Sequence, residues 1–275
     1  MPDRMILRNR TAVVTGAASG IGRAVAISLA RRGCHLALAD INEGPLAETA
    51  KLAGSPNLRI SCHRLDVVDR KAVAAFPAEV MAAHGRVDIL VNNAGVALGG
   101  TFEQVSESDF EWLFEINFWG VVRMTRAFLP HLRVSGDARI VNLSSVYGLI
   151  SPPGQTAYSA SKFAVRGFSN SLRHELEGSK IGVTVVHPGG IATSIARNAR
   201  VPKGVMSPEE RERRVVATEK LLKMPPAMAG EIIVKGIERR KARVLVGRDA
   251  KIVAILERLA PVSYWKIRRR SSPRA

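Results

Sequence analysis

The chain has 275 residues, 46% of them hydrophobic, which is enough for one α/β domain with a large core. It contains no apolar run of about 18 residues and no long apolar stretch at its start, so we expect neither a membrane-spanning helix nor a secretory signal. The two cysteines and six histidines show no metal-ligand spacing, which argues against a metal site and predicts a reduced, cytoplasmic setting.

The formal net charge of +17 is unevenly distributed along the chain. Residues 196–275 hold 21 Lys and Arg against 8 Asp and Glu, whereas residues 1–195 hold 20 against 16. A solvated basic face, a surface for an anionic membrane and nucleic-acid binding could each use this excess. Nucleic-acid binding is not expected, because no recognised module and no groove with interleaved aromatic residues occurs.

A short run rich in β-branched residues at 11–15 predicts the first buried strand. A turn with Gly16, Gly20 and Gly22 follows, and then a helical pattern that continues up to Arg32. Such a turn can bind a pyrophosphate, because the backbone approaches phosphate closely and the helix N-terminus offers unpaired N–H groups. The spacing differs from the usual G-x-G-x-x-G pattern, so the turn alone is equally compatible with a structural role.

The second predicted strand, residues 35–40, ends in Asp40, eighteen residues after Gly22. A carboxylate at this place can accept hydrogen bonds from the adenosine ribose hydroxyls and would repel a 2′-phosphate. Neither Ser19 in the turn nor Ile41 and Asn42 after the strand is basic, so the sequence favours NAD over NADP. The structural alternative for Asp40 is an N-cap of the helix that follows Asn42.

Polar residues also follow two later predicted strands, at 60–65 and 88–91. Asp66 follows the first strand and Asn93 follows the second. Small residues around Asn93 would let a cofactor lie against the strand ends, while Asp66 could equally form a turn with its own backbone. Asn93 could equally support the sheet. Further on, Asn117 lies within an apolar stretch of a predicted helix, so it requires buried hydrogen-bond partners.

Tyr158 and Lys162 stand four residues apart, and Ser145 precedes the tyrosine by thirteen. On a helix, a four-residue step puts the phenol and the ammonium on one face. The ammonium is expected to lower the phenol pKa from about 10, which would make the phenol a proton donor and acceptor near neutral pH. The Ser145 hydroxyl could hold a carbonyl oxygen beside it. Taken alone, the pair could also be an ordinary surface helix pair.

The last third of the chain contains the least regular segment, residues 195–226. Ser207, Pro208 and Glu210 predict the start of the one helix in it. After a strand at 244–246, a helix from about 249 to 260 carries an apolar stripe of Ile252, Ile255, Leu256 and Leu259. Aromatic and basic residues at 262–270 suit a membrane headgroup region, although the stripe could also dock on the domain or on a neighbouring subunit.

The order of the motifs resembles the short-chain dehydrogenase/reductase family in its single-domain form. The motifs are Thr15-Gly16-x-x-x-Gly20-x-Gly22, Asp66-Val67, Asn92-Asn93-Ala94-Gly95, Asn117, Ser145, Tyr158-x-x-x-Lys162 and Pro188-Gly189. The resemblance covers about residues 8–250 and agrees with the α/β fold class that the alternating strands and helices predict. It implies a Rossmann-type, doubly wound sheet of seven parallel strands with helices on both faces. The catalytic domain would be residues 1–247, with 195–226 covering the substrate and 248–275 forming a basic amphipathic tail.

The resemblance implies an oxidoreductase that transfers a hydride between a nicotinamide cofactor and an alcohol or ketone. It assigns catalysis to Asn117, Ser145, Tyr158 and Lys162, with Ser145 and Tyr158 contacting the substrate. It assigns cofactor binding to Gly16, Ser19, Gly20, Ile21, Gly22, Asp40, Asp66, Val67, Asn93, Ala94, Gly95, Tyr158, Lys162, Pro188, Gly189, Ile191 and Thr193.

Individual roles follow from the same resemblance. Asp66 would bind the adenine, Ile191 and Thr193 the nicotinamide amide, and Asn117 a water that links Lys162 to solvent. A homodimer or homotetramer is also implied. Because no cationic residue occurs between Ser145 and Lys162, a bulky apolar steroid-, retinoid- or lipid-like substrate is favoured. The alternative is a catalytically silent dinucleotide-sensing or scaffold protein on the same fold.

Overall fold

The computed structural model describes residues 4–202 and 205–266. Its strands are β1 (Thr11–Thr15), β2 (His35–Asp40), β3 (Ile60–Arg64), β4 (Ile89–Asn92), β5 (Ala138–Leu143), β6 (Ile181–Pro188) and β7 (Arg243–Val246). They form one parallel sheet in the order β3-β2-β1-β4-β5-β6-β7. The predicted seven-stranded parallel sheet is therefore confirmed, and the strands predicted at 60–65 and 88–91 differ from the observed ones by one residue at their ends.

Helices connect the strands. They are α1 (Gly20–Ala30), α2 (Glu43–Ala53), α3 (Arg70–His84), α4 (Glu107–Phe114), α5 (Gly120–Val134), α6 (Thr156–Glu175), α7 (Pro208–Glu219), α8 (Pro226–Glu238) and α9 (Arg248–Leu259). A π-helical turn at Glu115–Trp119 joins α4 to α5. The predicted start of α7 is confirmed, because the Ser207 hydroxyl accepts the Glu210 N–H and the Glu210 carboxylate accepts the Ser207 N–H. None of the helices in the described ranges is long and apolar enough to cross a membrane.

Helices cover both faces of the sheet. Successive strand residues point to opposite faces, and in β1 both kinds of position are fully buried. Val14 belongs to the apolar core that includes Leu29 of α1 and Ile233 of α8. Val13 belongs to the core on the other face, which includes Phe128 of α5. This arrangement confirms a doubly wound α/β domain.

The order of the strands changes direction at β1: β2 and β3 lie on one side of it, and β4 to β7 lie on the other. Val14 pairs with Leu38 of β2 on one side and with Val91 of β4 on the other. The connections after β1 and β4 therefore leave in opposite directions, and a crevice opens between the carboxyl ends of these strands. In open α/β sheets this is the position where ligands bind.

The helix α9 packs on the domain through only one of its faces. Ala250 and Val253 are buried, whereas Ile252, Ile255 and Leu259 of the predicted stripe are 62%, 60% and 78% exposed. Three of the four stripe residues therefore do not dock on the domain within the described ranges, and the fourth, Leu256, is half-buried. The basic cluster predicted after it, from residue 268, lies outside the described residues.

Candidate active site

The glycine-rich turn forms a close-packed cradle at the end of β1. Gly16 and Gly20 have φ angles of 62° and 54°, which favour glycine. A Cβ atom on Gly22 would overlap the carbonyl oxygen of Gly16, so only glycine lets α1 begin so close to the strand. Ser19 is the N-cap residue of α1, but its exposed side chain makes no cap hydrogen bond. The turn therefore places a helix N-terminus with unpaired N–H groups at the end of β1, a feature that can bind an anion.

Asn93 ties β4 to this turn. Its side-chain nitrogen donates to the carbonyl oxygens of Thr15 and Gly16, both at 3.0 Å. The Thr15 hydroxyl in turn accepts the backbone N–H groups of Asn93 and Ala94 at 3.0 and 3.1 Å. Both amide hydrogens of Asn93 are thus used within the protein, which is the structural role that the sequence left open beside cofactor contact.

The two predicted carboxylates of the adenosine site lie at the ends of β2 and β3. Asp40 accepts the N–H of Ala18 and the N–H of Asn42, both at 3.0 Å, so it braces the glycine-rich turn. Asp66 accepts the N–H of Val68 at 3.0 Å, which gives it the turn role that was its alternative. Both carboxylates keep further lone pairs, so these bonds leave room for ligand hydrogen bonds.

Ser145, Tyr158 and Lys162 come together at the carboxyl end of β5. Ser145 follows the strand, and its hydroxyl accepts the backbone N–H of Tyr147 at 3.1 Å. Tyr158 and Lys162 lie on one face of α6, with the Lys162 Nζ atom 5.7 Å from the centre of the phenol ring. The ammonium donates to the carbonyl oxygen of Leu143 at 3.2 Å. Lys162 is only 5% exposed, and the described residues offer it no second acceptor.

Burial dominates the ionisation of this pair. It raises the pKa of Tyr158 to about 12, against the effect of a hydrogen bond with Ser145, which lowers it. Burial also lowers the pKa of Lys162 to about 8. The expectation that the ammonium lowers the phenol pKa is therefore wrong for this arrangement. The ammonium lies over the ring and bonds to Leu143 instead of the phenol oxygen, so its field does not offset the loss of hydration.

Asn117 lies in the π-helical turn and is fully buried. Its side-chain oxygen accepts the N–H of Val96 at 2.9 Å, and its side-chain nitrogen donates to the Val96 carbonyl at 3.0 Å and the Ser161 hydroxyl at 3.2 Å. These are the buried partners that the sequence required. A Cβ atom on Gly95 would lie 3.0 Å from the Asn117 oxygen and 3.4 Å from the Lys162 ammonium, so Gly95 keeps the two groups close.

The segment after β6 reaches across the crevice to the glycine-rich turn. Pro188 ends the strand, and the Gly189 N–H donates to the Val246 carbonyl at 2.9 Å. Ile191 is buried and forms a parallel bridge with Met224. A Cβ atom on Gly20 would lie 3.1 Å from the Thr193 methyl group, so Thr193 stands directly over the start of α1.

An apolar wall adjoins the phenol. Tyr158 belongs to a cluster of apolar side chains that includes Val96, Leu98, Ala157 and Tyr147. Segment 195–202 lies against this wall, because the Arg200 N–H donates to the Ala97 carbonyl at 3.0 Å. The first part of the predicted substrate cover therefore lies against the apolar cluster to which Tyr158 belongs.

Sequence comparison identifies the family. The family model described as short chain dehydrogenase matches residues 10–203. The chain belongs to this family. A relative from Mycobacterium tuberculosis, named "Putative oxidoreductase SadH", is 44% identical over 261 residues, which are 94% of this chain and 93% of that protein. The 3-oxoacyl-acyl-carrier-protein reductase FabG of Thermotoga maritima is 32% identical over 222 residues, 77% of this chain and 90% of that protein.

Solved structures agree with this assignment. A short chain dehydrogenase/reductase from Burkholderia phymatum in complex with NAD superposes with a TM-score of 0.84, covering 98% of both chains at 29% identity. A short chain dehydrogenase from Mycobacterium paratuberculosis bound to NAD gives a TM-score of 0.77 at 27% identity, over 90% of this chain and 100% of that one. This short-chain dehydrogenase is thus an oxidoreductase of a family that uses a nicotinamide cofactor.

Four residues that the motifs did not single out contribute to the site of this short-chain dehydrogenase. Ser161 bonds to Asn117, Arg200 holds segment 195–202, and Asp249 bonds to the segment after β6. The fourth, His187, has its Nδ1 atom 2.8 Å from the Ser145 carbonyl oxygen. Burial lowers the pKa of His187 to about 4, so its ring is neutral. Because the carbonyl oxygen can only accept, Nδ1 carries the proton and donates. Only His187 gave a signal in the sequence, as a polar residue inside an apolar strand.

The described part of the chain shows no candidate metal site. Across residues 4–202 and 205–266, no three His, Cys, Asp or Glu side chains group as ligands would.

Proposed function

We propose that the protein interconverts a bulky apolar alcohol and its ketone with NAD(H). The observation that carries this proposal is the buried phenol of Tyr158, which lies beside Ser145 and Lys162 at the ligand-binding edge of the sheet. A protein that only bound a dinucleotide would not need this combination of a proton donor, an ammonium and a hydroxyl.

The described residues fit a nicotinamide dinucleotide. The glycines let α1 begin close to β1, and within the described residues the Ser19 hydroxyl makes no cap hydrogen bond and Lys162 has only one acceptor, the Leu143 carbonyl. When bound, the cofactor supplies the hydride acceptor for alcohol oxidation and the hydride donor for ketone reduction. The residues proposed to hold its pyrophosphate, adenosine and nicotinamide parts are Gly16, Ser19, Gly20, Ile21, Gly22, Asp40, Asp66, Val67, Asn93, Ala94, Gly95, Tyr158, Lys162, Pro188, Gly189, Ile191 and Thr193.

The protein's own task is to position the substrate and move one proton. The Ser145 hydroxyl donates to the substrate oxygen and fixes it beside the phenol. The Oη atom of Tyr158 gives its proton to that oxygen in ketone reduction and takes one from it in alcohol oxidation. Lys162 would bind the nicotinamide ribose through its ammonium hydrogens. Asn117, adjacent to Lys162 across Gly95, holds the water through which the proton is replaced.

The preference for NAD rests on Asp40. Its carboxylate lies at the end of β2 and accepts the backbone N–H of Ala18 in the glycine-rich turn. A 2′-phosphate on the adenosine ribose would meet this negative charge, whereas free ribose hydroxyls could donate to it. NADP is therefore the weaker cofactor in this proposal.

The apolar substrate class rests on the wall beside Tyr158. The side chains that pack with the phenol are apolar or aromatic, and they include Val96, Leu98, Leu113 and Tyr147. Such a wall favours a substrate whose surface beyond the reacting carbon is hydrocarbon, because burial of that surface drives binding.

A turnover screen tests the function. Consumption of NADH, followed by its fluorescence, is measured with steroid, retinoid and long-chain ketones for the wild type and for Tyr158→Phe. We expect the variant to lose about 10²- to 10⁴-fold in kcat while its NADH Kd changes less than about threefold. Near-normal turnover in the variant would contradict the proposed role of Tyr158. NADH binding without turnover of any ketone would instead support a silent, dinucleotide-sensing protein.

We also propose that this otherwise cytoplasmic protein associates peripherally with anionic membranes through α9. The exposed Ile252, Ile255 and Leu259 are accompanied by Lys251 and Arg258 on the same helix. The double variant Ile252→Gln/Ile255→Gln should co-sediment less with phosphatidylserine vesicles than the wild type. Leu52→Gln, at a position that is 61% exposed on α2, is the matched control and should behave as the wild type does. Equal sedimentation of all three proteins would exclude the membrane proposal.

Subunit association is proposed for the face formed by α5, α6 and the π-helical turn. Trp119 and Phe163 on this face are 45% and 36% exposed, which is unusual for such large apolar side chains. A homodimer or homotetramer would cover them. Light scattering should give a mass of two or four chains for the wild type and a smaller mass for Trp119→Lys, and a monomeric wild type would contradict this assignment.

A further inference from the structure

The C-terminal helix reaches the segment that follows β6 through one carboxylate. Asp249, in the first turn of α9, accepts the backbone N–H of Gly190 at 2.7 Å. Gly190 leads directly into Ile191 and Thr193, the residues proposed to hold the nicotinamide amide. The helix that the sequence suggested as a tail is therefore bonded to the proposed cofactor site.

The carboxylate of Asp249 lies in a space that Gly189 and Gly247 leave open. A Cβ atom on Gly189 or on Gly247 would overlap the Asp249 carboxylate. A Cβ atom on Gly190 would lie 2.7 Å from the Leu221 carbonyl oxygen on the other side. This fit leaves the carboxylate little freedom, which favours a fixed hydrogen bond over a transient surface contact.

The same helix also holds the loop that carries Ser145. Val253 of α9 packs against Leu149 and Ile150, which follow the serine. After α9, the hydroxyl of Tyr264 accepts the backbone N–H of Ser151 at 3.0 Å. The loop after Ser145 and the segment after β6 are thus both attached to the C-terminal part of the chain.

We propose that Asp249 is a positioning residue, which fixes residues 189–193 so that Thr193 and Ile191 meet the nicotinamide ring. This inference rests on the proposed NAD-dependent function. A charge-assisted hydrogen bond to a backbone N–H is among the stronger ones in proteins. On its other side the segment is held by Met224, whose N–H donates to Gly190 and whose carbonyl accepts from Ala192, at 3.0 and 2.8 Å.

The consequence of losing the carboxylate follows from this two-sided attachment. Without Asp249 the segment keeps the bonds to Met224 but loses the one that sets its distance from α9. Thr193, which stands over Gly20, would then shift relative to the glycine-rich turn. A misplacement of about 1 Å in a positioning element can cost about 100-fold in rate. The effect should be confined to the nicotinamide half of the cofactor, because Asp40 and the turn lie on other elements.

Binding of NADH and of ADP-ribose, which lacks the nicotinamide, tests the proposal without any substrate. Both Kd values are measured for the wild type, Asp249→Ala and Asp249→Asn, with Glu257→Gln in the same helix as the control. We expect Asp249→Ala to weaken NADH binding at least fivefold more than ADP-ribose binding. Asp249→Asn, which keeps a neutral acceptor, should recover part of the loss, and the control should match the wild type.

The possible failures are distinguishable. Equal weakening of NADH and ADP-ribose in Asp249→Ala, or no weakening of either, would overturn the positioning role while leaving the dehydrogenase proposal intact. If Asp249→Ala does not fold, the ratio of the NADH Kd to the ADP-ribose Kd is measured for Asp249→Asn instead. A ratio equal to that of the wild type would overturn the positioning role. A wild type that binds neither ligand would overturn the proposed function itself.

Discussion

The guanidinium carbon of Arg200 lies 3.6 Å from the centre of the Trp112 indole ring. The same side chain forms an ion pair with Asp109 at 2.8 Å. Both partners belong to α4, so one arginine fastens segment 195–202 to the wall beside Tyr158. The contact joins the proposed substrate cover to the apolar side of the site.

Replacement of Arg200 by alanine should therefore loosen the cover without touching the reacting groups. Because the side chain is partly exposed, we expect a modest effect, about a three- to tenfold increase in the KM of an apolar ketone, with kcat changed less. Steady-state kinetics of Arg200→Ala and of the control Arg213→Ala, an exposed arginine of α7, measure it. A decrease in kcat with KM unchanged would contradict a covering role for this segment.

The glycine-rich turn gives a prediction with an internal control. A methyl group on Gly22 would overlap the carbonyl oxygen of Gly16, so Gly22→Ala must displace α1 from the strand and spoil the pyrophosphate cradle. Gly44, in α2, has open space around its missing Cβ. We expect Gly22→Ala to weaken NADH binding at least tenfold, and Gly44→Ala to keep it and to add up to about 1 kcal/mol to the free energy of unfolding. Fluorescence titration and denaturant unfolding measure these effects. Normal NADH binding by Gly22→Ala would show that the cofactor does not lie on the turn.

Asp40 predicts the choice of cofactor. Asp40→Asn removes the negative charge but keeps an acceptor for the N–H of Ala18, so the turn should stay in place. We expect the variant to gain about tenfold or more in NADPH affinity relative to NADH, because the 2′-phosphate no longer meets a carboxylate. The ratio of the two Kd values for wild type and variant is the measurement. An unchanged ratio would mean that Asp40 does not face the ribose.

Local spacing was sufficient to predict the chemical groups of the site. The four-residue step of Tyr158 and Lys162 and the glycines of the turn depend on the geometry of one helix and one turn. Asn117 could be predicted because a buried amide in an apolar stretch must be satisfied. In each case the information lies within a few residues of the position concerned.

Contacts between distant parts of the chain could not be predicted in this way. Asp249 and Gly190 are 59 residues apart, and Arg200 and Asp109 are 91 apart. Their meeting depends on the packing of whole elements, which no single pattern encodes. The wrong direction of the Tyr158 pKa has the same origin, because the loss of hydration is set by tertiary burial.

The raised pKa of Tyr158 predicts a pH dependence that differs between the two reaction directions. At neutral pH the phenol is protonated, ready to donate in reduction, whereas oxidation needs the scarce phenolate. We expect kcat for ketone reduction to be level between about pH 6 and 8, and kcat for alcohol oxidation to increase up to about tenfold per pH unit. Rate profiles in both directions measure this, and an oxidation rate that is level from pH 6 to 8 would contradict it.

Buried His187 predicts a loss of stability in weak acid. Burial lowers its folded-state pKa to about 4, below the value of 6.5 expected in the unfolded chain. Between these values the unfolded chain binds more protons, so the contribution is fully present above about pH 6.5 and decreases as the pH falls toward 4. At pH 5 the loss should be about 2 kcal/mol in the free energy of unfolding relative to pH 7.

His187→Asn isolates this contribution, because an amide can still donate to the Ser145 carbonyl but does not titrate. The measurement is urea unfolding of both proteins at several pH values from 4.5 to 7. His84, whose pKa burial also lowers to about 4, is present in both proteins and cancels in the comparison. Glu231, with a pKa lowered to about 2 by its hydrogen bond to Arg32, titrates below this window. We expect the wild type to lose more stability than the variant between pH 7 and 5, and parallel curves would show that His187 is not buried as a neutral donor behind Ser145.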